Sequence, residues 1–369
     1  MKILFIVEHY FPYIGGAEIL WKNLAESLVK NGNEVTVVTT RFNKDLKNKE
    51  VINGVEVVRL NVSNRYAFTF LSIRKCIRYA RKADLIHTSS YNAAIPAWVA
   101  SRWTSTKSVI TFHEVWGKLW FKMPFTPKLN LLGYYCFEWI ILRLHFDKVI
   151  GVSDATLDAL NAAGVKESRL KRIYNGLCYE DFEGFQLKPP EITTYCYFGR
   201  LGISKGLDIL LEGFAVLQKK HPEIKLKLIL PTTPGNMFRK IQKTVKRKGI
   251  ESCIIWRHDL NREELFDEVT SSSAVVIPSL SEGFCFAAAE TVALKMPIIS
   301  SEAAALKEVV GGRCIAMDSI DGKGVSDALE RAYHNDWDYK PMKVFPLVDT
   351  VSQYLDMYED VLRGSGYSP

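Results

Sequence analysis

Apolar runs rich in β-branched residues alternate with amphipathic, helix-spaced stretches over almost the whole chain. The runs fall at residues 2–7, 34–40, 55–60, 84–89, 107–113, 148–153 and 171–174. A second series follows at 194–198, 225–231, 253–257, 274–278, 297–300 and 313–317. A strand that is apolar on both faces must be covered on both, and helical connections between such strands make the sheet parallel. Thirteen strands are too many for one sheet of this kind, so the pattern predicts an α/β chain of two Rossmann-like parallel-sheet domains.

The periodicity breaks between Glu180 and Glu191, where Gly184 and Pro189-Pro190 interrupt it. The expected domains are residues 1–184 and 190–345. A last apolar pattern, Val348, Val351, Tyr354, Leu355, Tyr358, Val361 and Leu362, predicts a terminal helix within 346–369, after Pro341 and Pro346.

Of the 369 residues, 47% are hydrophobic, enough for two large cores, yet no apolar stretch is long enough to cross a membrane. The run Lys2 to Val7 is too short for a signal-peptide core and leads straight into Glu8. The seven cysteines are scattered, with no CxxC and no histidine nearby at ligand spacing, which fits reduced thiols and predicts a cytoplasmic chain. Residues 1–184 carry 25 Lys and Arg against 17 Asp and Glu, whereas the rest carries 23 against 24. An anionic partner is therefore expected to meet the first half.

The stretch Pro278 to Glu290 holds two carboxylates eight positions apart. The strand Ala274 to Ile277 precedes it and a helix from Phe286 to Leu294 follows, so Glu282 falls in a loop at a strand's carboxyl end, where open α/β sheets bind ligands. Glu290 lies about two helical turns further on. The alternative is a loop acid and an unrelated helix acid.

Gly15-Gly16 stands between the first strand and a helix carrying Leu20, Leu24 and Leu28, which Asn31-Gly32 closes. Glycines there let backbone N–H groups and the helix N-terminus approach a phosphate, although an ordinary tight turn reads the same way. The GxGxxG fingerprint is absent, which disfavours a nicotinamide or flavin cofactor. The strand at 194–198 leads into Gly199-Arg200-Leu201-Gly202-Ile203-Ser204-Lys205-Gly206, with Ser204 as the expected N-cap of the next helix. A guanidinium and an ammonium at such a junction suit a diphosphate. His113 ends a strand and can exchange a hydrogen bond at neutral pH; His9, His87 and His258 also sit near strand ends.

Two stretches carry the marks of a surface contact. Arg65 to Lys82 holds six basic residues and no acid, with Arg74, Arg78 and Arg81 on one helical face. Val115 to Ile141 is dense in aromatics, including Trp116, Trp120, Phe121, Phe125, Trp139 and several tyrosines, with lysines interleaved. Basic and aromatic surface together suit an anionic membrane, and the same composition would serve single-stranded nucleic acid or a plain aromatic core with a solvated basic face.

Taken together, these landmarks resemble the retaining glycosyltransferases of family four, which have the GT-B fold. They follow the family's order: Gly15-Gly16, the strand ending at His113, Gly151-Val152-Ser153, Tyr174-Asn175-Gly176, Gly199-Arg200 with Lys205-Gly206, Pro278-Ser279 with Glu282 and Glu290, and a terminal helix with Tyr358. The resemblance implies two domains facing across a cleft, with the terminal helix crossing back to the first. It implies a nucleotide diphosphate sugar held by the second domain, a glycan or lipid-linked acceptor held mainly by the first, and no nucleic acid, cofactor or metal. Arg200, Lys205 and the Gly15-Gly16 amides would hold the diphosphate and Glu290 the ribose. Glu282 would contact the sugar near its reacting carbon, His113 a sugar hydroxyl, and Gly283, Phe284 and Cys285 would lend backbone amides.

The chain also departs from the family. Cys285 stands where a glycine is usual, Ala304-Ala305 where Gly-Gly is usual, and Arg257-His258-Asp259 where a glycine often follows the strand. Added β-carbons there would narrow the sugar pocket or change which sugar fits. A sugar-nucleotide epimerase or hydrolase, or a non-catalytic partner subunit, are the competing readings.

Overall fold

The computed structural model describes residues 1–13, 15–62, 64–122, 128–233 and 235–364. The chain forms two compact units, Met1–Gly176 with Phe345–Pro369, and Leu177–Val344.

The first unit is built on eight strands: β1 (Lys2–Ile6), β2 (Glu34–Thr40), β3 (Lys49–Ile52), β4 (Val55–Leu60), β5 (Leu85–Ser89), β6 (Lys107–Phe112), β7 (Lys148–Gly151) and β8 (Leu170–Arg172). They lie in the order β3-β4-β2-β1-β5-β6-β7-β8, parallel except for the β3–β4 pair. Side chains alternate across β1 into two cores. Ile3 and Phe5 meet Trp21, Leu24 and Leu28 on one face, and Leu4 and Ile6 meet Cys76, Ala97 and Ala100 on the other.

The terminal helix Leu347–Arg363 covers the first of these faces. Polar contacts fix it as well as apolar ones. The buried Tyr358 hydroxyl lies 2.6 Å from His87 Nδ1, His87 Nε2 lies 2.8 Å from Thr111 Oγ1, and Thr111 lies 3.1 Å from the Tyr354 hydroxyl. Burial holds the His87 imidazole well below its usual pKa, so it sits in this network uncharged. His87 is therefore a core residue that docks the last helix. A β-carbon at Gly176 would run into Leu347 and Thr350, so glycine permits the close approach of the chain's return.

The second unit holds β9 (Thr194–Phe198), β10 (Lys225–Ile229), β11 (Ile254–Arg257), β12 (Ala274–Ile277), β13 (Ile298–Ser300), β14 (Gly312–Ala316) and β15 (Asp338–Lys340). The order is β11-β10-β9-β12-β13-β14-β15, parallel except for β15. Its core gathers Tyr195 and Leu226 from the sheet with Leu210, Leu211 and Phe214 from helix Leu207–Lys220 and Leu329 from helix Gly322–Tyr333.

The thirteen expected strands are all present, and two more, β3 and β15, are added at sheet edges. The chain joins the second unit at Leu177, ahead of the expected break at 184–190. The cause is aromatic: Phe182 stacks on Phe266 at 5.0 Å, Phe185 meets the same ring edge-on, and Lys188 donates its N–H to the Thr270 carbonyl. Residues 365–369 of the expected terminal helix and Phe125 lie outside the described residues.

Candidate active site

In the second unit, β9, β10 and β11 run outward in one direction and β12, β13 and β14 in the other. The order reverses between β9 and β12, and ligands of open α/β sheets bind in the crevice that such a reversal leaves at the carboxyl edge. Lys205 follows β9 and Glu282 follows β12, so topology alone brings these two loops together. Lys205 Nζ donates to both carboxylate oxygens of Glu282, at 2.7 and 2.8 Å, and Ser279 Oγ donates to Oε1 at 2.7 Å. The Cys285 thiol lies close enough to act on Glu282 electrostatically. Burial pushes the Lys205 pKa down, yet the charge and hydrogen bond of Glu282, with Cys285 nearby, together outweigh it and the ammonium is held above its ordinary value. Lys205 thus forms an ion pair with Glu282 in a crevice where the Glu282 side chain is only 8% exposed. Arg200 lies close enough to act on Lys205 electrostatically, with its own side chain exposed.

The loops around the pair are tied to each other. Leu280 N–H donates to the Ser204 carbonyl at 2.7 Å, Ser301 Oγ to the Ser279 carbonyl at 2.5 Å, and Ala305 N–H to the Glu282 carbonyl at 3.2 Å. Gly206 has φ +65°, and a β-carbon there would strike the Pro278 carbonyl. That glycine, not Ser204, caps helix Leu207–Lys220; Ser204 lies within a short turn whose carbonyl is taken by Leu280. Cys285 precedes helix Phe286–Ala293 at φ +71°, and Ala304 has φ +49°. Asp259, in the third departure from the family, has φ +53°, so each of the three departures places one non-glycine residue on left-handed backbone, which favours glycine.

Glu290 sits on that helix with its side chain 12% exposed. Its nearest cation is Arg262, whose guanidinium is 3.5 Å away and shared with Asp181 at 3.3 Å. Burial pushes the Glu290 carboxyl up to about 7, with Arg262 opposing and Asp181 reinforcing the shift. Gly283 and Phe284 lie in the same loop as Glu282, with Phe284 buried. His258, by contrast, is spent on the Leu230 carbonyl, 2.7 Å from Nδ1.

The first unit has its own reversal, between β1 and β5. Gly15 caps helix Gly16–Lys30 there, after the loop that leaves β1. Among the residues at this crevice, Glu8 and Asn92 had no site role in the sequence analysis, whereas His9 and Arg65 were noted there. Glu8 Oε2 accepts from Asn92 Nδ2 at 3.0 Å and Arg65 at 3.1 Å, and Oε1 lies 3.3 Å from His9 Nε2. Burial raises the Glu8 pKa, but His9, Arg65 and Asn92 overcome it and hold the carboxyl below its ordinary value. His9 stacks on Tyr13 at 4.2 Å, and Phe42 stands edge-on to Tyr13. His113 follows β6 on the same edge, half-buried and edge-on to Trp21 at 6.2 Å. Beyond it, the buried Glu138 accepts from the Tyr91 hydroxyl and from the N–H groups of Trp116 and Gly117, at 2.9, 2.8 and 2.6 Å, which pins that loop. The signal for Glu8 was its place directly after the first strand; Glu138, inside an aromatic helix, gave none.

Two Rossmann-like units in one chain, with the last helix returned to the first, define the GT-B class of fold. Residues 14–180 match the model of Glycosyltransferase Family 4 and residues 180–340 that of glycosyl transferases group 1, and the chain belongs to this glycosyltransferase family. An uncharacterized glycosyltransferase of Methanocaldococcus jannaschii is 24% identical, the match covering 84% of this chain and 83% of that one. A GDP-mannose:cellobiosyl-diphosphopolyprenol α-mannosyltransferase of Xanthomonas campestris is 24% identical over 81% of this chain and 78% of its own. Among solved structures, the sucrose-phosphate synthase of Thermosynechococcus elongatus superposes with a TM-score of 0.82 at 18% identity, covering 98% of this chain and 99% of that one. At that identity the likeness speaks for the fold.

Proposed function

We propose that the protein transfers a sugar, with retention of configuration and without a metal ion, from a nucleotide diphosphate sugar to a glycan or lipid-linked acceptor in the synthesis of a cell-surface polysaccharide or glycoconjugate. The observation that carries this reading is the Lys205–Glu282 ion pair at the reversal point of the second unit's sheet. On this reading the second unit holds the donor. Lys205 and Arg200 neutralise the diphosphate as the bond from the sugar's anomeric carbon to the leaving oxygen breaks. Glu282 faces the positive charge developing on the sugar, with the Gly283, Phe284 and Cys285 amides beside it, and Glu290 accepts the ribose hydroxyls. In the first unit, the Gly15-Gly16 helix start and His113 complete the machinery, and the acceptor hydroxyl attacks the same face that the diphosphate leaves.

The mannosyltransferase relative's printed name joins a nucleotide sugar to a diphosphopolyprenol acceptor, and the surface of this chain suits such a lipid. Helix Lys128–Ile141 buries Leu131, Glu138 and Ile141 and exposes Leu129, Leu132, Trp139 and Ile140. Helix Arg65–Leu71 exposes Phe70 and Leu71, and the basic residues Arg74, Arg78, Arg81 and Lys82 beyond it are exposed as well. We place contact with an anionic membrane at the cytoplasmic face on residues 65–82 and 115–141, through described residues of both stretches. Among the described residues no helix is long and apolar enough to cross a membrane.

Incubation with a panel of nucleotide sugars and a lipid-linked glycan extract, with product detection by mass spectrometry, tests the enzymology. Transfer that needs both donor and acceptor supports it. Donor turnover as fast without acceptor points to a hydrolase or epimerase, and no donor binding at all overturns the reading. Flotation with anionic liposomes at low and high salt tests the membrane contact separately.

A further inference from the structure

Away from both crevices, the proposed transfer leaves one group of potential metal ligands unused among the described residues. His221 is the C-cap of helix Leu207–Lys220 and His334 the C-cap of helix Gly322–Tyr333. The two helices pack closely, since a β-carbon at Gly213 would collide with Val325 and the Gly322 carbonyl. Glu330 lies one turn before His334 on the same helix. Its Oε1 is 3.2 Å from His221 Nε2 and 3.5 Å from His334 Nε2, and the three ligand atoms lie within 4.8 Å of one another. Tetrahedral zinc bonds of about 2.0–2.2 Å set neighbouring donor atoms roughly 3.3–3.6 Å apart. Two of the three edges of the cluster thus come within a tenth of an ångström or so of a zinc site's, before any side chain moves.

We propose that His221, Glu330 and His334 bind a divalent transition-metal cation of the zinc class, which staples the C-terminal ends of the two helices. Imidazole and carboxylate are ligands of this class of ion. Helix C-termini carry partial negative charge, so two of them converging on one point favour a cation there. The neighbours orient the ligands. Lys220 Nζ donates to Glu330 Oε2 at 2.6 Å and leaves Oε1 turned toward the histidines, and the Tyr333 ring lies 3.9 Å from the His221 ring. Binding takes both imidazoles through Nε2 as neutral rings with the proton on Nδ1, and any proton on Nε2 leaves to solvent. His334 is the most exposed of the three, at 62%, which leaves a fourth position for water. None of these residues takes part in the donor or acceptor roles above, so the two readings stand or fall apart.

The full chain, dialysed against Zn2+ and then against metal-free buffer, should retain one Zn2+, and Co2+ should give the intense visible bands of a tetrahedral site. His334→Ala should weaken binding by roughly tenfold or more, and a His221→Ala/His334→Ala pair should abolish it. Lys220→Met, which removes the nearest competing cation, should tighten it. Cys136→Ser removes the exposed thiol and should change nothing. A wild-type chain that retains no Zn2+, or a double histidine variant that binds it as well as wild type, overturns the proposal.

Discussion

The two sheets reverse direction in the same way, yet their crevices are furnished for different ligands. In the second unit the reversal is filled by a lysine and a buried carboxylate in mutual contact, with a further arginine at the rim. In the first, the carboxylate Glu8 is held by Asn92, Arg65 and His9 and is flanked by the Tyr13 and Phe42 rings. Cations near a crevice suit a diphosphate; a fixed carboxylate beside aromatic rings suits the hydroxyls and C–H faces of a sugar. Topology sets where ligands bind, and the side chains at the strand ends set which ligand each crevice takes.

Breaking the ion pair should have the largest effect. Glu282→Gln keeps the shape but removes the charge proposed to face the reacting sugar, and transfer is expected to fall about 1000-fold, with nucleotide diphosphate binding largely kept. Steady-state rates and nucleotide titration check both halves. Loss of nucleotide binding instead of turnover would move Glu282 from the sugar end to the diphosphate end.

Glu290 separates the donor crevice by its charge rather than its shape. Its carboxyl is raised to about 7 from an ordinary value of 4.5. The folded state therefore binds a proton that the unfolded chain has released between these values, so stability contributed here is full below pH 4.5 and is lost as pH rises through 7. Glu290→Gln carries no such loss, and by pH 8 should gain about 2.5 kcal/mol on wild type relative to their difference at pH 5. Urea unfolding at the two pH values measures it. Donor affinity should run the other way: ribose hydroxyls donate best to the ionised carboxylate, so wild-type nucleotide affinity should rise between pH 6 and 8 and the variant's should stay flat.

In the first unit, Glu8→Gln should raise the acceptor KM by roughly tenfold and leave donor affinity unchanged. A change in donor affinity would erase the division of labour between the crevices.

Much of this arrangement was legible in the sequence because buried parallel strands have no polar face to disguise them. β3 and β15 escaped because they are short, lie at edges with polar residues along them, and pair antiparallel. Lys205 and Glu282 were legible as strand-end residues, but their direct contact was not, since it follows from the strand order and not from spacing. The same holds for Glu8 and Asn92, which come from strands that are neighbours only in the sheet. Arg262 was missed because its partners Glu290 and Asp181 lie far from it in sequence. The boundary fell early because Phe182 and Phe185 find a ring, Phe266, that no local pattern reveals.

Cys285 offers the smallest and most specific test of the donor crevice. At φ +71° it holds a backbone shape that costs a non-glycine residue about 1 to 2 kcal/mol. Cys285→Gly relieves that strain, but it gives the unfolded chain more freedom, worth about 0.5 to 1 kcal/mol, and surrenders a buried thiol. The opposing terms leave stability within about 1 kcal/mol of wild type by thermal unfolding. What changes is the crevice, because the thiol near Glu282 and the β-carbon beside it are both gone. Burial keeps that thiol protonated, so it does not put a second anion beside the carboxylate. The variant should therefore turn over its own donor a few-fold more slowly while accepting sugars that the wild type rejects, as read by competition between paired donors. If selectivity is unmoved, the residue that replaces the usual glycine does not shape the sugar pocket, and the choice of donor belongs to residues outside the Glu282 loop.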